Sequence, residues 1–203
     1  MKLIAVLGTK GGAGKTSLAH LLCLGASLRN HPIAYVLTDP SRQLRAEGRP
    51  YPTLDARRPE TLAGLVEAAK TGDGWMIIDG GGNRPAFDQE LHQLADVTLL
   101  PMRASAEDLD TVAADLRTLQ KALIWPYAWP TNPLAKKAVS PFLDAMNTTF
   151  PGRVIANPVP FVQSCHELLL PVLDSPSTTV RNVARAVYYE LDERLTSDRS
   201  PPD

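Results

Sequence analysis

Cysteine is nearly absent from this 203-residue chain: Cys23 and Cys165 are the whole complement. Two thiols so far apart in sequence can build neither a disulfide framework nor a cysteine-ligated metal centre, and both read as small buried hydrophobes of a reducing compartment. No apolar run approaches the roughly 18 residues needed to cross a bilayer, and the chain opens directly on a strand-like segment, so neither a membrane span nor a leader is expected. Charge of either sign is also lacking in excess. A formal net charge of −1 argues against a nucleic-acid binder that depends on overall basicity, while leaving room for a local basic face. The four histidines, His20, His31, His92 and His166, show no metal-ligand spacing. Cytoplasmic residence follows by default.

Glycine, in contrast, is concentrated where chemistry can use it. Residues 10–17 read KGGAGKTS, between an apolar run of strand length at 1–7 and a segment of helical spacing at 15–29. A glycine-rich turn from strand to helix points successive backbone N–H groups into one concavity at a helix N-terminus, where the helix dipole favours an anion. Gly11, Gly12, Ala13 and Gly14 would form that phosphate cradle, closed by Ser17. Lys15 would reach the β- and γ-phosphates of a nucleotide and the Thr16 hydroxyl would bind Mg²⁺.

The rest of the chain alternates strand and helix. Strands are expected at 33–37, 75–79, 97–101, 122–128 and 153–156, and helices at 59–70, 88–95, 105–123, 140–149 and 178–195, with an arginine-rich surface segment at 41–52. This order predicts an α/β fold: a mostly parallel twisted sheet flanked by helices, joined by right-handed βαβ units, in a single domain over 1–196 with a disordered tail at 197–203. In such sheets ligands bind beyond the carboxyl ends of the strands. Asp39 and Asp79 both follow buried-type strands there. Asp79 fits a Mg²⁺-holding carboxylate, and Gly80, Gly81 and Gly82 let the backbone approach the γ-phosphate. Plainer readings are a cap or turn aspartate for Asp79, an Asp-Pro turn for Asp39 and a solvated loop lysine for Lys10.

The string Lys-Gly-Gly-x-Gly-Lys-Thr at 10–16, with Thr9 where the ordinary Walker A motif has glycine, resembles the deviant Walker A loop of the ParA/MinD family. The likeness extends to Thr38-Asp39-Pro40, to Asp79 with its glycines, to Leu99-Leu100-Pro101 and to the carboxyl-terminal helix. It implies a P-loop ATPase using ATP and Mg²⁺. Lys10 would reach the partner's phosphates in an ATP-closed homodimer, and Asp39 would position the attacking water. Leu37 stands where the family usually has a first aspartate. By the same resemblance the adenine pocket would lie between Asn132 and the segment Pro158, Val159, Pro160. Nonspecific DNA contacts would fall on Lys136, Lys137, Arg153, Arg181 and Arg185, and a ParB-like or other small adaptor would stimulate hydrolysis. The function implied is partition of a plasmid or chromosome, or positioning of another intracellular cargo, by a short member without an operator-reading extension. The alternative is a metabolic P-loop ligase, dethiobiotin-synthetase-like or cobyrinic-acid-amidating. A MinD-like membrane anchor is disfavoured by the polar end of the last helix, and the nitrogenase-iron-protein branch by the missing cluster cysteines.

Overall fold

The computed structural model describes residues 1–197. Six strands lie in one sheet in the order β3-β2-β4-β1-β5-β6, every pair parallel. They are β1 (Lys2–Val6), β2 (Ile33–Leu37), β3 (Thr53–Asp55), β4 (Trp75–Asp79), β5 (Val97–Met102) and β6 (Leu123–Pro126). The helices between and after them are α1 (Lys15–Ser27), α2 (Pro59–Ala69), α3 (Pro85–Leu94), α4 (Ala106–Thr118), α5 (Pro133–Thr149) and α6 (Thr178–Ser197), with a 3₁₀ segment at Gln163–Leu169.

The central strands are apolar on both faces because both faces are covered. Along β1, Ile4 and Val6 point into a core with α1 and α6, while Leu3 and Ala5 point into a second core with α2 to α5. β4 alternates the same way, Trp75 and Ile77 against Met76 and Ile78. The first core is closed by an unusually near approach of two helices. A Cβ built on Gly25 of α1 would stand 2.1 Å from the carbonyl oxygen of Ala184 in α6, so only glycine lets these helices meet at this spacing.

The expected α/β architecture is the one observed. Several boundaries differ, each for a local reason. Strand β3 was not anticipated: three residues pairing only with β2 at the sheet edge carry too short a pattern to register. Helix α5 begins at Pro133 rather than 140, since Asn132 caps it by accepting from the Ala135 N–H at 2.8 Å and a proline needs no donor in a first turn. Helix α3 likewise starts at Pro85. Helix α4 stops at Thr118, leaving a turn before β6. The strand expected at 153–156 is reduced to a single bridge between Ile124 and Val154. The expected tail lies outside the described residues except for Ser197, which ends α6.

Candidate functional site

Strands β1, β2 and β4 end side by side, and beyond their carboxyl ends lies a cleft of about 490 Å³; of the groups singled out in the sequence, Asp79 is fully buried and, like Lys10, is not part of its lining. The loop at 11–17 forms one wall, with Asp39, Ser41 and Arg42 opposite and Gly80 and Gly82 at the edge. Gly14, the residue that caps α1, has φ +109°, and a Cβ there would lie 2.3 Å from the Tyr127 ring. Glycine is therefore required both by the left-handed backbone and by the aromatic wall.

Lys15 is buried, and its Nζ donates to the loop's own carbonyls, Gly8 at 2.7 Å and Lys10 at 2.8 Å. The ammonium is thus held against the loop's own backbone, and Lys15 lines the cleft. Burial lowers its pKa, opposed by Asp88, Asp79 and Asp115 nearby. Lys10 turns the other way. Its Nζ meets Asp108 Oδ1 at 2.5 Å and Glu107 Oε1 at 3.2 Å, both in the first turn of α4, and the bond to Asp108 holds its pKa up.

Asp79 is fully buried. Its Oδ2 accepts from the Tyr35 hydroxyl at 2.7 Å, whereas Oδ1 has no hydrogen-bond partner among the described residues. Burial pushes its pKa up to about 6, against the pull of the Tyr35 and Thr16 hydroxyls and of Arg42 and Lys15. An orphaned buried carboxylate oxygen beside a threonine hydroxyl is the hard-oxygen donor set that suits Mg²⁺, which takes few protein ligands and fills its shell with phosphate and water. Leu37 pairs in register with Asp79, so the strand position next to this acid is apolar. Asp39 lies against Gly81 and accepts at Oδ1 from the Ser41 amide (2.9 Å) and hydroxyl (2.6 Å), with Arg42 at 3.4 Å from Oδ2. Partial burial raises its pKa, but those bonds and the charges of Arg42 and Arg84 outweigh it, leaving a carboxylate ionised at neutral pH.

Three acids escaped the sequence reading. Asp115 of α4 binds Thr9 through both its amide (3.0 Å) and its hydroxyl, Asp108 holds Lys10, and Asp88 of α3 lies buried beneath the loop beside the Gly8 amide, its pKa raised by burial to about 6. A signal existed for two of them. Asp108 and Asp115 share the face of α4 that carries Val112 and Leu116, and a carboxylate on a buried face needs a partner.

The remaining predicted residues divide between the cleft and other surfaces. Pro160 lines the cleft, together with Tyr127, Ala128, Phe161, Val162 and His166. Val159 is in the core, Pro158 is half-buried, and Asn132 is engaged in capping α5 outside the cleft lining. Lys136 and Lys137 are exposed on α5; Arg181 is exposed and Arg185 half-exposed on α6. Arg153 is folded onto the carbonyls of Leu119 and Ala122. A second cavity of about 390 Å³, lined by His20, Tyr35, Arg42 and Arg45, adjoins the first at Thr16 and Ser41. Among the described residues no helix is long and apolar enough to cross a membrane.

No family model and no curated protein matches the chain. Solved structures do. The nucleotide-free form of McdA from Cyanothece matches at a TM-score of 0.69 and 17% identity, over 94% of this chain and 99% of that one. The cell division protein MinD from Aquifex aeolicus matches at 0.69 and 15%, over all of both chains. Cobyrinic acid a,c-diamide synthase from Mycobacterium smegmatis, bound to ADP and magnesium, matches at 0.71 and 15%, over 100% of this chain and 98% of that one. At such identities the likeness is one of fold, and the fold of this chain is that of the ParA/MinD-type P-loop ATPases.

Proposed function

We propose that this chain is a ParA-like ATPase that hydrolyses ATP with Mg²⁺, and that ATP closes it into a homodimer acting in DNA partition or in positioning of another cargo. The observation that carries this reading is the cleft at the carboxyl edge of the sheet that residues 11–17 and Asp39 line together with Gly80 and Gly82, the glycines that follow the buried Asp79. Lys15 supplies a cation to the β- and γ-phosphates, exchanging the carbonyls of Gly8 and Lys10 for phosphate oxygens. The backbone amides of 11–17 bind the remaining charge at the N-terminus of α1. Thr16 and Asp79 hold Mg²⁺, which when bound neutralises charge on the phosphates. Asp39, ionised and fixed by Ser41, orients a water toward the γ-phosphate. Gly80 to Gly82 leave room for that phosphate to be felt by the following loop. Lys10 can serve a partner's nucleotide only after leaving Asp108 and Glu107, so closure exchanges one ion pair for another. That exchange favours a dimer only when the partner's phosphates are present.

Calorimetry tests the first step. ATP with Mg²⁺ should bind the wild-type chain and fail to bind Lys15→Ala; unchanged affinity would defeat the assignment. Sedimentation tests the second. Asp39→Ala, which should retain ATP, is expected to sediment as a dimer, and the same protein carrying Lys10→Ala as a monomer. A small ParB-like adaptor and nonspecific DNA complete the cycle as partners.

A second reading, an ATP-dependent ligase of the cobyrinic-acid-amidating or dethiobiotin-synthetase-like kind, draws support from the cavity at His20, Tyr35, Arg42 and Arg45. It adjoins the phosphate end of the cleft and has the cationic wall a carboxylate co-substrate would need. Phosphate release from ATP without any added acceptor separates the two, since a ligase would turn over only with its co-substrate.

A further inference from the structure

The second cavity, beside the phosphate end of the cleft, is lined by hydrogen-bond donors, and among the described residues no carboxylate lines it. Arg42, Gln43 and Arg45 come from the loop after β2, and Thr16 and His20, four apart, from one face of α1. Leu37 adds an apolar wall. At about 390 Å³ the cavity has the size of a small-molecule site.

His20 decides its polarity. The residue is 3% exposed and lines this cavity, and its one hydrogen bond among the described residues joins Nδ1 to the Tyr51 hydroxyl at 3.0 Å. The Arg49 guanidinium faces the same hydroxyl. A guanidinium only donates, so it can take a lone pair of the Tyr51 oxygen but offers the phenolic proton no acceptor. That proton goes to Nδ1. The ring, kept neutral by burial and by the charges of Arg49, Arg45 and Arg42, therefore carries its own proton on Nε2. Stacking on Tyr35 at 4.3 Å fixes the ring plane, and Tyr51, the partner of Nδ1, is not part of the lining, so the Nε2 edge is the one turned to the cavity. A buried N–H without an acceptor is a cost that an accepting ligand removes.

The two arginines supply the charge. Arg42 is exposed and meets Asp39 through Nε at 3.4 Å, which leaves its terminal nitrogens outside that contact. Arg45 is exposed and has no ion pair among the described residues. Planar guanidinium forks match the oxygens of carboxylate and phosphate groups.

We propose that this cavity is a second ligand site, distinct from the phosphate loop, which binds the carboxylate or phosphate head of a small molecule through His20 Nε2–H, Arg42 and Arg45. It extends the ligase reading by naming the groups that hold the co-substrate, and it stands without that reading, since an effector with the same head meets the same donors.

Calorimetric titration with succinate and with inorganic phosphate, in the absence of nucleotide and Mg²⁺, tests this. Lys15→Ala serves as the parent protein, because it weakens the competing anion site at the loop. At least one of the two anions should bind it, succinate alone marking a carboxylate site and phosphate alone a phosphate site. Adding His20→Phe, which keeps the ring stack and removes the donor, should weaken that binding on the order of tenfold, the weight of one hydrogen bond to a charged group. Adding Arg45→Gln should weaken it by a smaller factor, as loss of an exposed cation does, with the melting temperature unmoved. Long-range proton–nitrogen NMR should find the His20 proton on Nε2 and see that resonance shift as the anion is added. The proposal is overturned if neither anion binds the parent, if either added substitution leaves the affinity unchanged, or if the proton resides on Nδ1. ATP is absent throughout, so failure of the ATPase or the ligase reading would leave these outcomes as they are.

Discussion

His20 is buried in α1 with its Nδ1 3.0 Å from the Tyr51 hydroxyl and its ring stacked on Tyr35 at 4.3 Å. Burial, with the positive charges of Arg49, Arg45 and Arg42, drives its pKa down to about 3 from the ordinary 6.5. The unfolded chain therefore takes up a proton below 6.5 that the folded chain refuses until about 3. Within that window His20 costs stability as pH falls, by about 1.4 kcal/mol per pH unit, and above it the effect vanishes. Asp79 and Asp88, with pKa values raised to about 6, act in the opposite sense because the folded state binds their protons first. His20→Phe keeps the stacking and removes the titration. Between pH 7 and pH 5 the variant's urea midpoint should rise relative to that of the wild type, and a constant difference would refute the burial argument. Residues of this kind also mark how far the sequence could be read. The loop at 10–17, Asp39 and Asp79 were legible because their chemistry is tied to fixed positions at strand ends. Asp88, Asp115 and Tyr127 were not, because they reach the site from distant helices and loops, and only tertiary packing brings them there.

Helices carry the next scale of argument, and α1 carries most of it. It presents the phosphate loop at one end and packs against α6 along its length, with Gly25 at the tightest point. In an exposed helix, replacing glycine by alanine gains about 1 kcal/mol. Here the new methyl would meet the Ala184 carbonyl, so Gly25→Ala should destabilise by roughly 1–3 kcal/mol, read as a lowered urea midpoint with an unchanged slope. A stabilised variant would mean that α6 moves freely away from α1. The strands β1, β2, β4 and β5 and the helices α1, α2 and α6 were legible because each is long and its pattern is continuous. The elements that were misjudged are those whose signal is short or mixed. Strand β3 has three residues at an edge, and the start of α5 lies among Pro130, Asn132 and Pro133, which read equally well as a turn. The 3₁₀ segment at Gln163–Leu169 has no apolar period of its own, yet it supplies Cys165 and His166 to the cleft.

Over the whole molecule, a net charge of −1 means that any attraction to DNA would have to come from a local group of cations. The candidates form two groups, Lys136 and Lys137 on α5 and Arg181 and Arg185 on α6, helices that pack on opposite faces of the sheet, while Arg153 has its guanidinium committed to two carbonyls. If a closed dimer doubles the α6 group, duplex binding should require ATP and fall steeply with salt through counterion release. Arg181→Glu with Arg185→Glu should weaken it and flatten the salt slope, as read by fluorescence anisotropy. An ATP-bound dimer without duplex affinity at low salt would point instead to a protein scaffold as the cargo surface. The order of the sheet has a consequence of another kind, for how the chain is made. Strand β1 leaves the ribosome before the other five strands but lies between β4 and β5, with Lys2 opposite Trp75 and Ile4 opposite Val97. Synthesis at about 5–20 residues per second keeps that apolar strand waiting for several seconds before either neighbour exists. During this interval Leu3, Ile4, Ala5 and Val6 have no sheet to join, and the nascent chain depends on its helices, or on a chaperone, to keep them from joining another chain's.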